Sequence, residues 1–271
     1  MSGTPNHPYH LVNPSPWPLL TSFSMLALVV GAAMALHKMG IGHVVLFAGI
    51  AATATCCFFW WRDVIREGRF EHAHTNAVQQ GLRLGMALFI LSEVMFFFGF
   101  FWAYFGAALF PIAPLMDVWD IKEGVWPPEG IVTFDPFDLP FMNTLILLLS
   151  GTTVTWAHAA LLDNNQRDVI RGLTCTVVLG VLFSILQAVE YSHAAFGLTE
   201  GKYAATFYLA TGFHGLHVML GTIFLAVCLV RAKRGTLDSK QHLGFEFAAW
   251  YWHFVDVVWL FLFVGIYWLT S

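Results

Sequence analysis

Three groups of side chains in this sequence could do chemistry, and all three fall in or beside stretches that are otherwise hydrocarbon. Glu93 stands in LFILSEVMFFFGFF, ten residues beyond Arg83. Thr211, His214 and His217 stand in ATGFHGLHV, while Glu246, His253 and Asp256 stand in FEFAAWYWHFVDVVW. The third group, Trp60-Trp61-Arg62-Asp63-Val64-Ile65-Arg66-Glu67 followed by His72 and His74, closes another apolar run.

Each group admits more than one chemistry. Ten helical residues span about 15 Å, which puts Glu93 near the middle of a bilayer if Arg83 marks the polar boundary. An ionised carboxylate there needs a partner or water to offset its desolvation, so the neutral acid is the expected form. A hydrogen bond to another helix, proton carriage, and a lipid- or pocket-lining role all remain open, since ionisable groups at membrane depth default to a functional reading. The pairs 214/217 and 253/256 are spaced i, i+3, so each is expected to share a helix face. That spacing alone does not identify a haem or metal ligand set. Interhelical hydrogen bonding is the default because lipid offers no water to satisfy these groups. Counted from the inner helix ends, His217 and Asp256 come out at similar depth, and a hydrogen bond between them is expected. In the third group, tryptophans favour the headgroup level and arginines bind phosphate, the composition of a phospholipid headgroup site or of an ordinary interfacial belt.

The elements that must position these groups are membrane spans. The chain is 58% apolar and only 11% charged over 271 residues, against about 45–50% and 25% in soluble domains. With a net charge of −4 and no basic stripe, nothing suggests nucleic acid. A span needs about 20 mostly apolar residues, and seven stretches qualify: 16–37, 41–66, 79–108, 138–161, 168–192, 203–231 and 242–269. The fold class is therefore all-α and polytopic. The organisation expected is an inner-side tail at 1–15, a helix pair at 16–66, an inner-side connection at 67–78 and a five-helix bundle at 79–271. The proline-rich start carries no Lys or Arg before the first run, unlike a secretory signal, so that run is expected to be retained as a span.

Charge sets the orientation. With the N-terminus inside, Arg62, Arg66, Arg69, Arg83, Arg167, Arg171, Arg231, Lys233, Arg234 and Lys240 lie on the inner side and Lys38, Lys122 and Lys202 on the outer, a strong positive-inside bias. The longest connection, 109–137, then lies outside with Asp117, Asp120, Glu123, Glu129 and Asp135. A loop of that length is either functional, packed on a partner, or merely solvated. Cys56, Cys57, Cys175 and Cys228 all sit in apolar runs and read as small hydrophobes rather than a disulfide framework.

In order along the chain, HLVNPSPWP, WWRDVIREG, LRLGMALFILSEVMFFFGFFWAYF, FMNTLILLLSGTTVTWAH, ATGFHGLHVMLGTIFL and GFEFAAWYWHFVDVVWLFLFVGIYW resemble the signatures of cytochrome c oxidase subunit III, from about residue 10 to the C-terminus. With EGVWPPEGIVTFDP and EYSHAAFGL, the resemblance is to the alphaproteobacterial form more than the mitochondrial one. It implies a two-helix and a five-helix bundle with a lipid-filled cleft, in the bacterial inner membrane. It implies docking on subunit I in a complex with subunit II, with haem a and copper held by those partner subunits and no cofactor on this chain besides phospholipids. Such a chain has no catalytic residue; it supports proton uptake and the working life of subunit I. By resemblance, Trp61, Arg66, Glu67 and His74 fall on the headgroup-contacting stretch, Arg231 on a basic position that meets anionic lipid, and Glu93 on the membrane carboxylate. One departure is visible: the family often has paired histidines after TWA, whereas His158 here is followed by Ala159.

Two other readings compete. A proton-coupled transporter using Glu93 would be expected to show half-repeats or paired broken helices, and none is evident. A membrane cytochrome would use His214, His217 or His253. A visible spectrum of the isolated polypeptide separates these: no Soret band is expected, and stoichiometric haem or copper in a chain freed of its partners would reject the resemblance's central implication.

Overall fold

The computed structural model describes residues 14–71, 73–110, 126–128, 130–240 and 242–270. His72 and the loop residues Asp117, Asp120, Lys122, Glu123 and Glu129 lie outside them. Seven long helices follow one another: α1 (Trp17–Leu36), α2 (Gly42–Arg69), α3 (Asn76–Leu109), α4 (Leu139–Leu162), α5 (Gln166–Ser192), α6 (Gly201–Lys233) and α7 (Leu243–Leu262), the last continuing as a π-helical segment, Phe263–Trp268. All seven are long and apolar enough to cross a membrane, and among the described residues there is no strand. The chain divides into two compact units, Met1–Leu82 and Arg83–Ser271.

In the first unit α1 and α2 form a hairpin held by backbone proximity. Pro16 and Pro18 flank the start of α1, where the missing amide costs nothing. Gly31 of α1 lies against the backbone of Leu46, and Gly42 and Gly49 of α2 lie against Ala35 and Leu28. A Cβ built on Gly49 would stand 2.6 Å from the Leu28 Cα. Lipid supplies no hydrophobic drive for helices to associate, so close approach through small residues is the main source of attraction. A polar stitch, Thr53 Oγ1 to Ser24 Oγ at 3.1 Å, lies along the same seam.

In the second unit α4 neighbours α5 and α7, and α6 neighbours the same two, giving a ring of four helices. The buried residues of α7 include Phe245, Ala248, Trp252, Val255, Trp259 and Leu262, alternating steps of three and four residues as a packed helix seam requires. Trp252 and Trp259 are fully enclosed. Room for Trp252 comes from Gly180 on α5 and Gly221 on α6, where an added Cβ would come within 2.8 Å of the indole. Each indole N–H finds an acceptor on α4: Trp252 donates to Ser150 Oγ at 2.8 Å and Trp259 to Thr144 Oγ1 at 2.9 Å. Helix α3 reaches α6 and α7 through large side chains, with Phe96 edge-on to Phe213 and Phe89 stacked on Tyr251.

Gly49→Leu is expected to force α1 from α2 and to lower the yield of folded chain several-fold. Gly40→Leu, at a position with nothing within 4 Å, is expected to leave it unchanged. Quantitative immunoblotting of detergent-extracted membranes checks both.

Candidate functional site

Glu93 and His217 form the central polar pair of the second unit. His217 Nδ1 lies 2.6 Å from the Phe213 carbonyl oxygen. A carbonyl only accepts, so Nδ1 carries a proton and donates it one helical turn back. The other nitrogen, Nε2, is 2.8 Å from Glu93 Oε2. The contact therefore holds one shared proton, either as a carboxylic acid donating to neutral imidazole or as imidazolium donating to carboxylate. Both forms leave the pair without net charge, which is the condition for keeping an acid at this depth. Phe97 meets the imidazole edge-on and Tyr251 stacks on it, so the pair is partly walled by rings.

Glu246 and Arg83 tie the N-terminal parts of α7 and α3. Arg83 Nε and Nη2 donate to the two carboxylate oxygens of Glu246, each at 2.9 Å, the two-pronged geometry that suits guanidinium to carboxylate. His158 sits nearby on α4, its ring 5.7 Å from His242 and edge-on to Phe245.

The expected hydrogen bond between His217 and Asp256 does not form. His217 is committed to Glu93, while Asp256 packs against Gly151 of α4, where an added Cβ would collide with the carboxylate. Equal depth along two helices leaves the rotation of each unspecified, and here the two groups turn toward different neighbours. Nor do His214 and His217 serve one partner: His214 Nε2 donates to the Val255 carbonyl at 3.2 Å on α7. Three residues advance about 300° around a helix, leaving about 60° between the side chains, enough to address different helices. His253 and Asp256 do lie together, His253 Nδ1 standing 3.8 Å from Asp256 Oδ2, and His253 Nε2 meets Thr155 Oγ1 at 3.1 Å.

At the C-terminal end of α2, Trp61 is 67% exposed and Arg66 is exposed, with Nε 3.9 Å from Glu71 Oε1. Glu67 is half-buried, and its carbonyl receives the Ala73 amide as the chain turns. His74 folds back over Gly68, where a Cβ would meet its Nδ1 at 2.6 Å. Asp63 accepts from the Trp17 indole at 2.7 Å and from Arg62, so the belt residues of α1 and α2 are braced together. At the C-terminal end of α6, Arg231 lies over Gly244, and the Thr236 hydroxyl donates to the Arg231 carbonyl at 3.0 Å.

One buried group was not singled out from sequence. Glu190, 1% exposed, accepts from the Tyr267 hydroxyl at 2.6 Å and from Gln187 Nε2 at 3.2 Å. It lines a cavity of about 420 Å³ with Phe134, Asp135, Asp138, Leu139, Pro140 and His193. An acid two residues inside the end of a span passes for a boundary residue. The signal available was Gln187 one turn earlier, since an i, i+3 polar pair facing inward needs a further partner. Among the described residues no group of three or more His, Cys, Asp or Glu could hold a metal ion, and the four cysteines are unpaired.

Replacing Glu93 separates the readings of this pair. Glu93→Gln keeps a donor for His217 Nε2 and is expected to preserve assembly and most oxygen consumption. Glu93→Leu strands the imidazole nitrogen, at a cost of about 1–3 kcal/mol, and is expected to lower the thermal-inactivation midpoint. Glu93→Lys is expected to block insertion or packing. Oxygen uptake and proton release in vesicles measure these, and near-complete loss of oxygen reduction in an assembled Glu93→Gln complex would make Glu93 an obligatory proton carrier.

The sequence profile of the family Cytochrome c oxidase subunit III matches residues 7–271. "Probable cytochrome c oxidase subunit 3" of Rickettsia bellii is 58% identical over 266 residues, covering 97% of this chain and 96% of the relative. "Cytochrome c oxidase subunit 3" of the red alga Chondrus crispus is 52% identical over 262 residues (97% and 94%), and that of Scyliorhinus canicula is 52% identical over 265 residues (98% of each). With the family model matching residues 7–271 and relatives 52–58% identical over nearly the whole length, the chain belongs to the cytochrome c oxidase subunit III family, a non-catalytic subunit of the terminal oxidase.

Proposed function

We propose that this chain is the third core subunit of a proton-pumping oxidase that reduces O2 to water with electrons from cytochrome c, docked on subunit I in a complex with subunit II in a bacterial inner membrane, N-terminus inside. Haem a and copper belong to those partners. This chain supports proton uptake and durability of subunit I and binds structural phospholipid. The observation that carries the structural role is the closure of two membrane acids: Glu93 is bonded to His217 and Glu246 to Arg83. Positive-inside charge supports the orientation.

The lipid role rests on the inner end of α2 and, separately, that of α6. Trp61 offers an exposed indole at headgroup level and Arg66 an exposed guanidinium, a combination suited to a phosphodiester, since charge-assisted donors hold phosphate more strongly than neutral ones. His74 and Glu67 shape the turn beside them, and Arg231 adds a cation at the inner end of α6.

Trp61→Ala with Arg66→Ala is expected to lower anionic phospholipid in the purified complex and to shorten its lifetime under turnover, with initial oxygen-uptake rates nearly unchanged. Lipid mass spectrometry and progress curves check this. Unaltered lipid content would remove the headgroup site from the proposal.

A further inference from the structure

His253 and Asp256 lie well inside the last span and are not satisfied within the chain. From Leu243 they stand ten and thirteen residues in, or about 15 and 20 Å, in a span of 26 residues. His253 gives one nitrogen to Thr155, but the 3.8 Å from its other nitrogen to Asp256 is too long for a hydrogen bond. Asp256 Oδ1 is buried without a partner. The side chain of His253 is nevertheless 47% exposed while that of Asp256 is 9% exposed, so the imidazole is the outer member and the carboxylate stands behind it.

Hydrocarbon cannot match this face. Lipid tails offer neither donor nor acceptor, and half-exposed ionisable groups at that depth are costly. The other acids of this unit near α7 are closed by partners, Glu93 by His217 and Glu246 by Arg83. Around His253 the surface is otherwise apolar and open, with Trp250 37% and Val257 51% exposed on α7 at positions that share its face. Thr152, exposed on α4, spends its hydroxyl on the Leu149 carbonyl.

We propose that the α4–α7 face around His253 is the surface on which a transmembrane helix of another oxidase subunit docks, bringing a hydrogen-bonding side chain to the depth of His253 and Asp256. The inference rests on the reading of the chain as a docked oxidase subunit and names the face used. Gly151 fits this arrangement, because it leaves room for Asp256 to sit behind the imidazole. The apolar residues beside it supply the packing that drives helix association in lipid, and the polar contact fixes its register.

The test is p-benzoyl-phenylalanine placed at positions 152 and 257, with His253 and Asp256 intact, and at control positions 178 and 185 of α5, where Val178 and Ile185 are 59% and 55% exposed. Membranes are irradiated and the complex is purified and resolved by gel and mass spectrometry. Positions 152 and 257 are expected to form adducts with a polytopic oxidase subunit, and positions 178 and 185 are not. Lipid adducts alone at 152 and 257, or equal subunit adducts at all four positions, overturn the docking face while co-purification of the subunits keeps the underlying reading intact. Failure of any oxidase subunit to co-purify overturns that reading, and the docking face with it. As a second readout, His253→Leu is expected to weaken retention of the chain in detergent about tenfold, and His253→Gln to restore most of it. Equal retention in both variants overturns the polar contact.

Discussion

Hydrocarbon offers no hydrogen-bond partner, and the placement of nearly every polar side chain in the second unit follows from that constraint. In water, a glutamate can be left to the solvent. Inside a bilayer each such group must meet another protein group or raise the free energy of the fold by several kcal/mol. The response here is pairing between helices: Glu93 with His217 joins α3 to α6, Arg83 with Glu246 joins α3 to α7, and the indoles of Trp252 and Trp259 join α7 to hydroxyls on α4. These contacts fix rotation and register. Packing fills the space around them, with Gly180 and Gly221 leaving room for an indole that no larger residue would admit.

Helix α7 concentrates these demands because it faces in several directions at once. One side carries the tryptophan seam into the four-helix ring, its N-terminal end carries Glu246 to α3, and the side toward α4 carries His253 and Asp256. A substitution on one side leaves the others in place only if the helix does not rotate. The polar contacts at 246, 252 and 259 resist rotation at three heights, and so hold the 253–256 pair toward α4.

The helices were legible in the sequence because length and hydropathy decide whether a segment can span, and both are local properties. That Glu93, Glu246 and Asp256 would be costly was legible for the same reason. Their partners were not. Depth along a helix can be counted, but azimuth depends on how neighbours pack, and this is what separated His217 from Asp256 and His214 from His217. Arg83 and Glu246 could be placed on the same side of the membrane from sequence, yet nothing across a separation of 163 positions says that α3 and α7 meet there. Glu190 was passed over because its position near a helix end made exposure the default, whereas the Tyr267 hydroxyl from the π-helical segment encloses it.

The way the Glu93–His217 contact is closed bears on what such a subunit does. A relay must hand its proton onward, so the group after the donor needs a free site facing the next acceptor. His217 has both nitrogens engaged, one by Glu93 and the other by the Phe213 carbonyl, and its ring is bordered by Phe96, Phe97 and Tyr251. Passing a proton through would require breaking the bond to Phe213 beside these rings. A shared proton that stays where it is costs little and orders two helices. That arrangement suits a structural role for the pair, holding α3 against α6.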